Sequence, residues 1–90
     1  MKEKGVMDQP IVTMDVHGLT ADEAVRKIES AVRAAGPGVY RVRVIHGFHR
    51  GTSIQKAIYR EIGYGLNPKV LRIVPGDNQG ITELILREYY

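Results

Sequence analysis

The chain reads as a two-layer α/β domain, with two helices against a four-stranded mixed sheet in the order βαβαββ. Three observations predict this. Apolar and polar residues alternate in residues 11–17 and 39–45, the period of half-buried strands. Two segments open on a capping-box pattern and carry apolar residues at helical spacing behind it. A cluster of turn formers, Pro75-Gly76-Asp77-Asn78-Gln79-Gly80, separates two further short apolar runs.

Pro10 opens the first strand, Ile11 to His17. Val12, Met14 and Val16 face one way, and Thr13, Asp15 and His17 the other. Gly18 ends it. Thr20 then caps a helix, with Glu23 completing the box. Ala24, Val25, Ile28, Ala31, Val32 and Ala35 form its apolar stripe, and Gly36-Pro37-Gly38 stops it. The second strand runs from Val39 to Ile45, with Arg41 and Arg43 alternating against Val42 and Val44. After the loop His46-Gly47-Phe48-His49-Arg50-Gly51, Thr52 and Gln55 read as a second capping box. The stripe behind them is Ile54, Ala57, Ile58 and Ile62. Val70 to Val74 and Ile81 to Leu86 are the last strands, and the short turn between them suits a hairpin. Strands joined through helices run parallel by right-handed crossovers.

Ninety residues suffice for one domain. Residues 1–9 are polar and aperiodic and read as a flexible leader, with 10–90 the single domain. Hydrophobic residues make up 43% and charged residues 26%, which argues against disorder. The absence of cysteine excludes disulfides, thiolate nucleophiles and Cys-type zinc sites. No apolar run reaches the roughly 18 residues that span a bilayer, so no membrane partner is expected. No signal-peptide pattern opens the chain, and a cytoplasmic location is expected. The net charge is +3, but residues 1–35 are net −1 and residues 36–90 net +4. That asymmetry permits a polyanion partner.

Two loops could carry chemistry. Asp15 and His17 share a strand face at the strand's C-terminal end, where open α/β sheets bind ligands. A carboxylate can fix the tautomer of a neighbouring imidazole for acid–base work. The plainer alternative is a strand-end aspartate bonding turn amides beside an exposed histidine. The loop from His46 to Thr52 joins a strand end to a helix N-terminus, where free amides favour phosphate. Gly47 and Gly51 permit close backbone approach, Arg50 offers a forked donor, and Phe48 can stack on a base. An ordinary βα loop with Thr52 as cap stays open beside this. Both loops follow parallel strands and should lie at one sheet edge. Arg41, Arg43, Lys69 and Arg72 suggest a basic strand surface, though alternating arginines commonly mark a solvated face. Asp77 could hold a metal through water, with a plain turn the simpler reading.

Asp15-Val16-His17-Gly18-Leu19-Thr20 followed by Glu23-Ala24 resembles the opening signature of the small MutS-related (Smr) domain. His46-Gly47 through Gly51 resembles that family's second motif, and Gly80-Ile81-Thr82-Glu83-Leu84 its closing segment. Three motifs in order cover about residues 11–87, as in a stand-alone member. The resemblance implies a fold similar to the C-terminal domain of translation initiation factor three. It also implies nucleic-acid binding with nicking endonuclease activity on DNA or, in some members, cleavage of RNA. Asp15 and His17 match the first motif's acid and histidine, and His46, Gly47 and Gly51 match the second-motif loop. Phe48-His49-Arg50 departs from the usual glycine-bearing loop and narrows the approach to a phosphate.

On this reading His17, oriented by Asp15, activates water or a ribose hydroxyl. His46 or His49 protonates the leaving oxygen, and Arg50 with the helix amides stabilises the phosphate. No metal cluster is visible in the sequence, and whether Mg²⁺ takes part, with Asp15 as a ligand, stays open. The competing reading is a non-catalytic module in which the same loop binds phosphate. Arg41, Arg43, Lys56 and Arg60 then supply counter-charge. A third reading is an adaptor that docks on a protein through a sheet edge.

Overall fold

The computed structural model describes residues 10–48, 51–63 and 65–88. The elements are β1 (Ile11–Asp15), α1 (Ala21–Ala34), β2 (Arg41–Ile45), α2 (Ser53–Glu61), β3 (Arg72–Pro75) and β4 (Ile81–Ile85). The expected βαβαββ order is present. The sheet order is β1-β2-β4-β3. β1 and β2 are parallel, and β4 runs antiparallel to both of its neighbours, β2 and β3. The hairpin expected between the last two strands is therefore present, and its second strand occupies the middle of the sheet. The leader expected over residues 1–9 lies outside the described residues.

Each strand is shorter than its alternation suggested, because pairing stops where the backbone turns. β1 ends at Asp15: the Val16 N–H still reaches the Ile45 carbonyl at 2.9 Å, then the Leu19 N–H turns back to Val16. Val39 bonds back to Gly36 at 3.1 Å and Val70 to Asn67 at 3.0 Å, so both belong to turns that precede their strands.

α1 starts as its capping box requires. The Glu23 N–H donates to Thr20 Oγ1 at 3.1 Å, and the Thr20 N–H to Glu23 Oε1 at 3.1 Å. The second box does not form. Thr52 sits at φ −121°, ψ 22°, outside the extended region a capping side chain needs, and makes no side-chain cap bond. The first turn of α2 also lacks an acidic residue, so its leading amides keep their attraction for an anion.

Both helices cover the same face of the sheet. Ala24, Val25, Ile28 and Val32 of α1 join Ile54, Ala57 and Ile58 of α2 in one core with Val12, Val42, Val44 and Leu84. Among the described residues, the opposite face carries no helix. On it Arg43 and Glu83 stand opposite each other across β2 and β4. Arg43 Nε donates to Glu83 Oε2 at 2.9 Å, and Arg41 donates to Glu83 Oε1. The Glu83 side chain is only 4% exposed, a depth at which a carboxylate needs partners. Burial pushes its carboxyl up, but the hydrogen bonds and charges of Arg43 and Arg41 outweigh that and hold it below the usual range. The Arg43 guanidinium is pushed up in return, chiefly by its bond to Glu83.

Candidate functional site

At the end of β1 the Asp15 carboxylate collects two donors from one residue. The His17 N–H donates to Asp15 Oδ1 at 3.0 Å, and His17 Nδ1 lies 2.5 Å from the same oxygen. A carboxylate oxygen only accepts, so Nδ1 is the donor and Nε2 is left as the ring's basic nitrogen. The His17 side chain is 70% exposed. The hydrogen bonds from His17 hold the Asp15 carboxyl below its usual range. Gly18, at φ +84°, makes the turn that keeps this pair at the sheet edge.

The second loop is braced from β4. The His46 and Gly47 N–H groups both donate to the Gly80 carbonyl, at 2.9 and 3.0 Å. His46 itself is buried, with Nδ1 2.7 Å from the Gly47 carbonyl and Nε2 2.8 Å from Thr82 Oγ1. A carbonyl only accepts, so Nδ1 donates to it, and the Thr82 hydroxyl occupies the other nitrogen. The expectation was that His46 or His49 protonates the leaving oxygen; in this fold both His46 nitrogens already have partners. His46 instead ties β2 to β4. Thr82, wholly buried, and Gly80 were not singled out as site residues, although the closing Gly80–Leu84 segment contains both.

The two loops meet, as their positions after parallel strands require. A Cβ on Gly47 would lie 3.7 Å from His17 Cβ, and Gly47 has φ +75°. Between them is an open cleft of about 690 Å³, lined by His17, Leu19, His46, Gly47, Phe48, Gly51, Ser53 and Ile54. Ser53, at the start of α2, lines the cleft although it was not among the expected site residues. Thr52 lines a neighbouring depression instead. His49 and Arg50 lie outside the described residues. Arg41 and Arg43 are not at this cleft but on the helix-free face, bound to Glu83. Lys56 and Arg60 line a shallow surface along α2 with Gln55 and Tyr59, and Arg60 pairs with Glu61 at 3.2 Å. Among the described residues no group of three or more His, Asp or Glu side chains is gathered to hold a metal. Asp77 belongs to the exposed turn between β3 and β4.

The brace can be tested by removing one hydroxyl. Thr82→Val keeps the branched shape but leaves a buried His46 nitrogen without its partner. The expected cost is about 1–3 kcal/mol in urea unfolding, and Thr82→Ser should recover most of it.

A family model described as the Smr domain matches residues 14–80. The crystal structure of the Smr domain of Thermus thermophilus MutS2 superposes with a TM-score of 0.73 at 23% identity. The match covers 86% of this chain and 99% of that one. No curated protein matches the chain. No helix among the described residues is long and apolar enough to cross a membrane.

Proposed function

The chain belongs to the Smr domain family, and from that premise we propose that it binds nucleic acid and nicks phosphodiesters of DNA or RNA at the His17 cleft. The observation that carries this reading is the Asp15–His17 pair at the rim of a cleft whose other wall is the Gly47 loop. His17 Nε2 takes the proton of water or a ribose hydroxyl. The oxygen attacks phosphorus, and the P–O bond to the departing strand breaks. The departing oxygen takes its proton from solvent or from His49, and Arg50 supplies positive charge to the phosphate. The uncapped start of α2 faces developing negative charge with its amides. Lys56 and Arg60 attract the flanking backbone. The reading includes a cytoplasmic location and a fold kinship with the C-terminal domain of translation initiation factor three.

The test is a gel assay of purified protein with supercoiled plasmid and with structured RNA, with and without Mg²⁺. Nicked circles or shortened RNA are the expected products, and the Mg²⁺ lanes report metal need. Absence of both binding and cleavage at low salt overturns the reading. One observation favours the alternative of a binding module without turnover: His46, a candidate acid, has both nitrogens engaged. That alternative predicts retained, salt-dependent binding and intact nucleic acid in every lane.

A further inference from the structure

Phe48 has the His17 cleft on one side and a second depression on the other. This second space, about 430 Å³, is lined by Phe48, Gln55, Asn78, Gln79, Pro75 and Ile81 among others. The first turn of α2 divides the two: Ser53 and Ile54 line the cleft, whereas Thr52 and Gln55 line the depression. The chemistry changes across Phe48. Among the described residues lining the depression, none carries a charge. It offers an aromatic ring and three carboxamides.

Phe48 is 44% exposed and is held in place from below. A Cβ on Gly80 would sit 3.2 Å from Phe48 Cδ1 and 3.2 Å from Gly47 Cα, so the ring rests where glycine leaves room. Asn78 Oδ1 accepts the Gly80 N–H at 2.8 Å, which fixes that amide and leaves its NH₂ to donate. Gln79 is exposed and Gln55 half-buried. Carboxamides present donor and acceptor side by side, the pattern that matches a base edge, and bases stack on aromatic rings.

We propose that this depression receives one unpaired nucleobase, stacked on Phe48 and contacted by Gln55, Asn78 and Gln79, next to the phosphodiester held in the His17 cleft. The proposal rests on the nucleic-acid reading above and adds a selection rule. A base inside a duplex has both faces stacked and its pairing edge engaged, so only a bulge, loop or strand end can fill the depression.

The test compares a fully paired hairpin with the same hairpin carrying one bulged nucleotide, in a DNA arm and an RNA arm. Fluorescence anisotropy at one fixed salt concentration reads affinity. The wild-type chain should bind the bulged form about tenfold more tightly in at least one arm, and that arm identifies the source of the base. Phe48→Ala should reduce the preference to within about twofold, and Phe48→Tyr should keep it, since the ring remains. Gln55→Ala with Gln79→Ala should flatten any ranking among the four bulged bases. Equal wild-type affinity for paired and bulged forms overturns the proposal, as does a preference that survives Phe48→Ala. Failure to bind either form overturns the nucleic-acid reading itself, and this proposal with it.

Discussion

His17→Ala is expected to lower nicking by about a hundredfold or more, the usual contribution of a positioned acid–base group. The argument is geometric. Asp15 accepts both the His17 ring and the His17 amide, so the imidazole is held in one orientation and one tautomer before substrate arrives. Asp15→Asn should fall part of the way, because an amide can present its NH₂ to Nδ1 and favour the wrong tautomer. The pH dependence separates the two residues. The hydrogen bonds from His17 keep the Asp15 carboxyl below its usual range, so Asp15 remains charged through mild acid. Activity lost between pH 7 and pH 5 therefore does not come from protonating Asp15. Initial rates on supercoiled plasmid or structured RNA, measured for the parent and both variants, check this. A His17→Ala rate within about threefold of the parent removes His17 from the chemistry.

The largest effect on stability should come from Arg41→Ala combined with Arg43→Ala. The two arginine side chains are 40% and 32% exposed, whereas Glu83 is 4% exposed. Removing Glu83 leaves cations that can reach water, and Glu83→Gln should cost only about 1 kcal/mol. Removing both arginines leaves a buried carboxylate without a counter-charge, a loss of about 3–5 kcal/mol. The carboxyl can escape by taking a proton, which at pH 7 limits the cost to about 4 kcal/mol. The sign of the pH dependence should then reverse. In the parent the folded Glu83 carboxyl lies below its unfolded value. Its contribution is thus complete above the unfolded pKa and lost as pH falls through the folded one. In the double variant burial raises the folded carboxyl, so stability should rise as pH drops from 7 toward 5. Urea unfolding at the two pH values measures both effects. A double variant that unfolds like the parent at pH 7 refutes this account of Glu83.

The elements were legible in the sequence because each depends on local signals. Alternation located the first two strands, short apolar runs either side of a turn cluster located the last two, and Thr20 with Glu23 started α1 as expected. What escaped depended on partners distant in sequence. Val39 and Val70 continue the apolar pattern, but their amides turn back to Gly36 and Asn67, which no alternation reveals. Thr52-Ser53-Ile54-Gln55 has the letters of a capping box, yet a cap also needs an extended backbone at Thr52, and the preceding loop denies it. Glu83 is a charged residue in a short apolar run, and nothing local shows its burial: β4 lies between β2 and β3, and Arg41 and Arg43 reach Glu83 from β2. His46 illustrates the same limit within the site. A histidine after a strand can face a substrate or a neighbouring strand, and the choice was made by Thr82, 36 residues later. The meeting of the two loops was legible, because parallel neighbouring strands send their following loops to one edge.

The central place of β4 also sets an order of events. β2 and β3 share no hydrogen bonds; each pairs with β4. Until residues 81–85 dock, β2 pairs only with β1 and β3 lacks its strand partner. Such late, long-range pairings are slow to find because loop-closure entropy is lost before contacts compensate. The same docking delivers Gly80 and Thr82 to the second loop, so the cleft acquires its shape in the step that completes the sheet. A nascent or partly unfolded chain would hold Asp15 and His17 side by side yet lack the wall opposite them. On the proposed nicking function, that delay keeps half-made molecules inert.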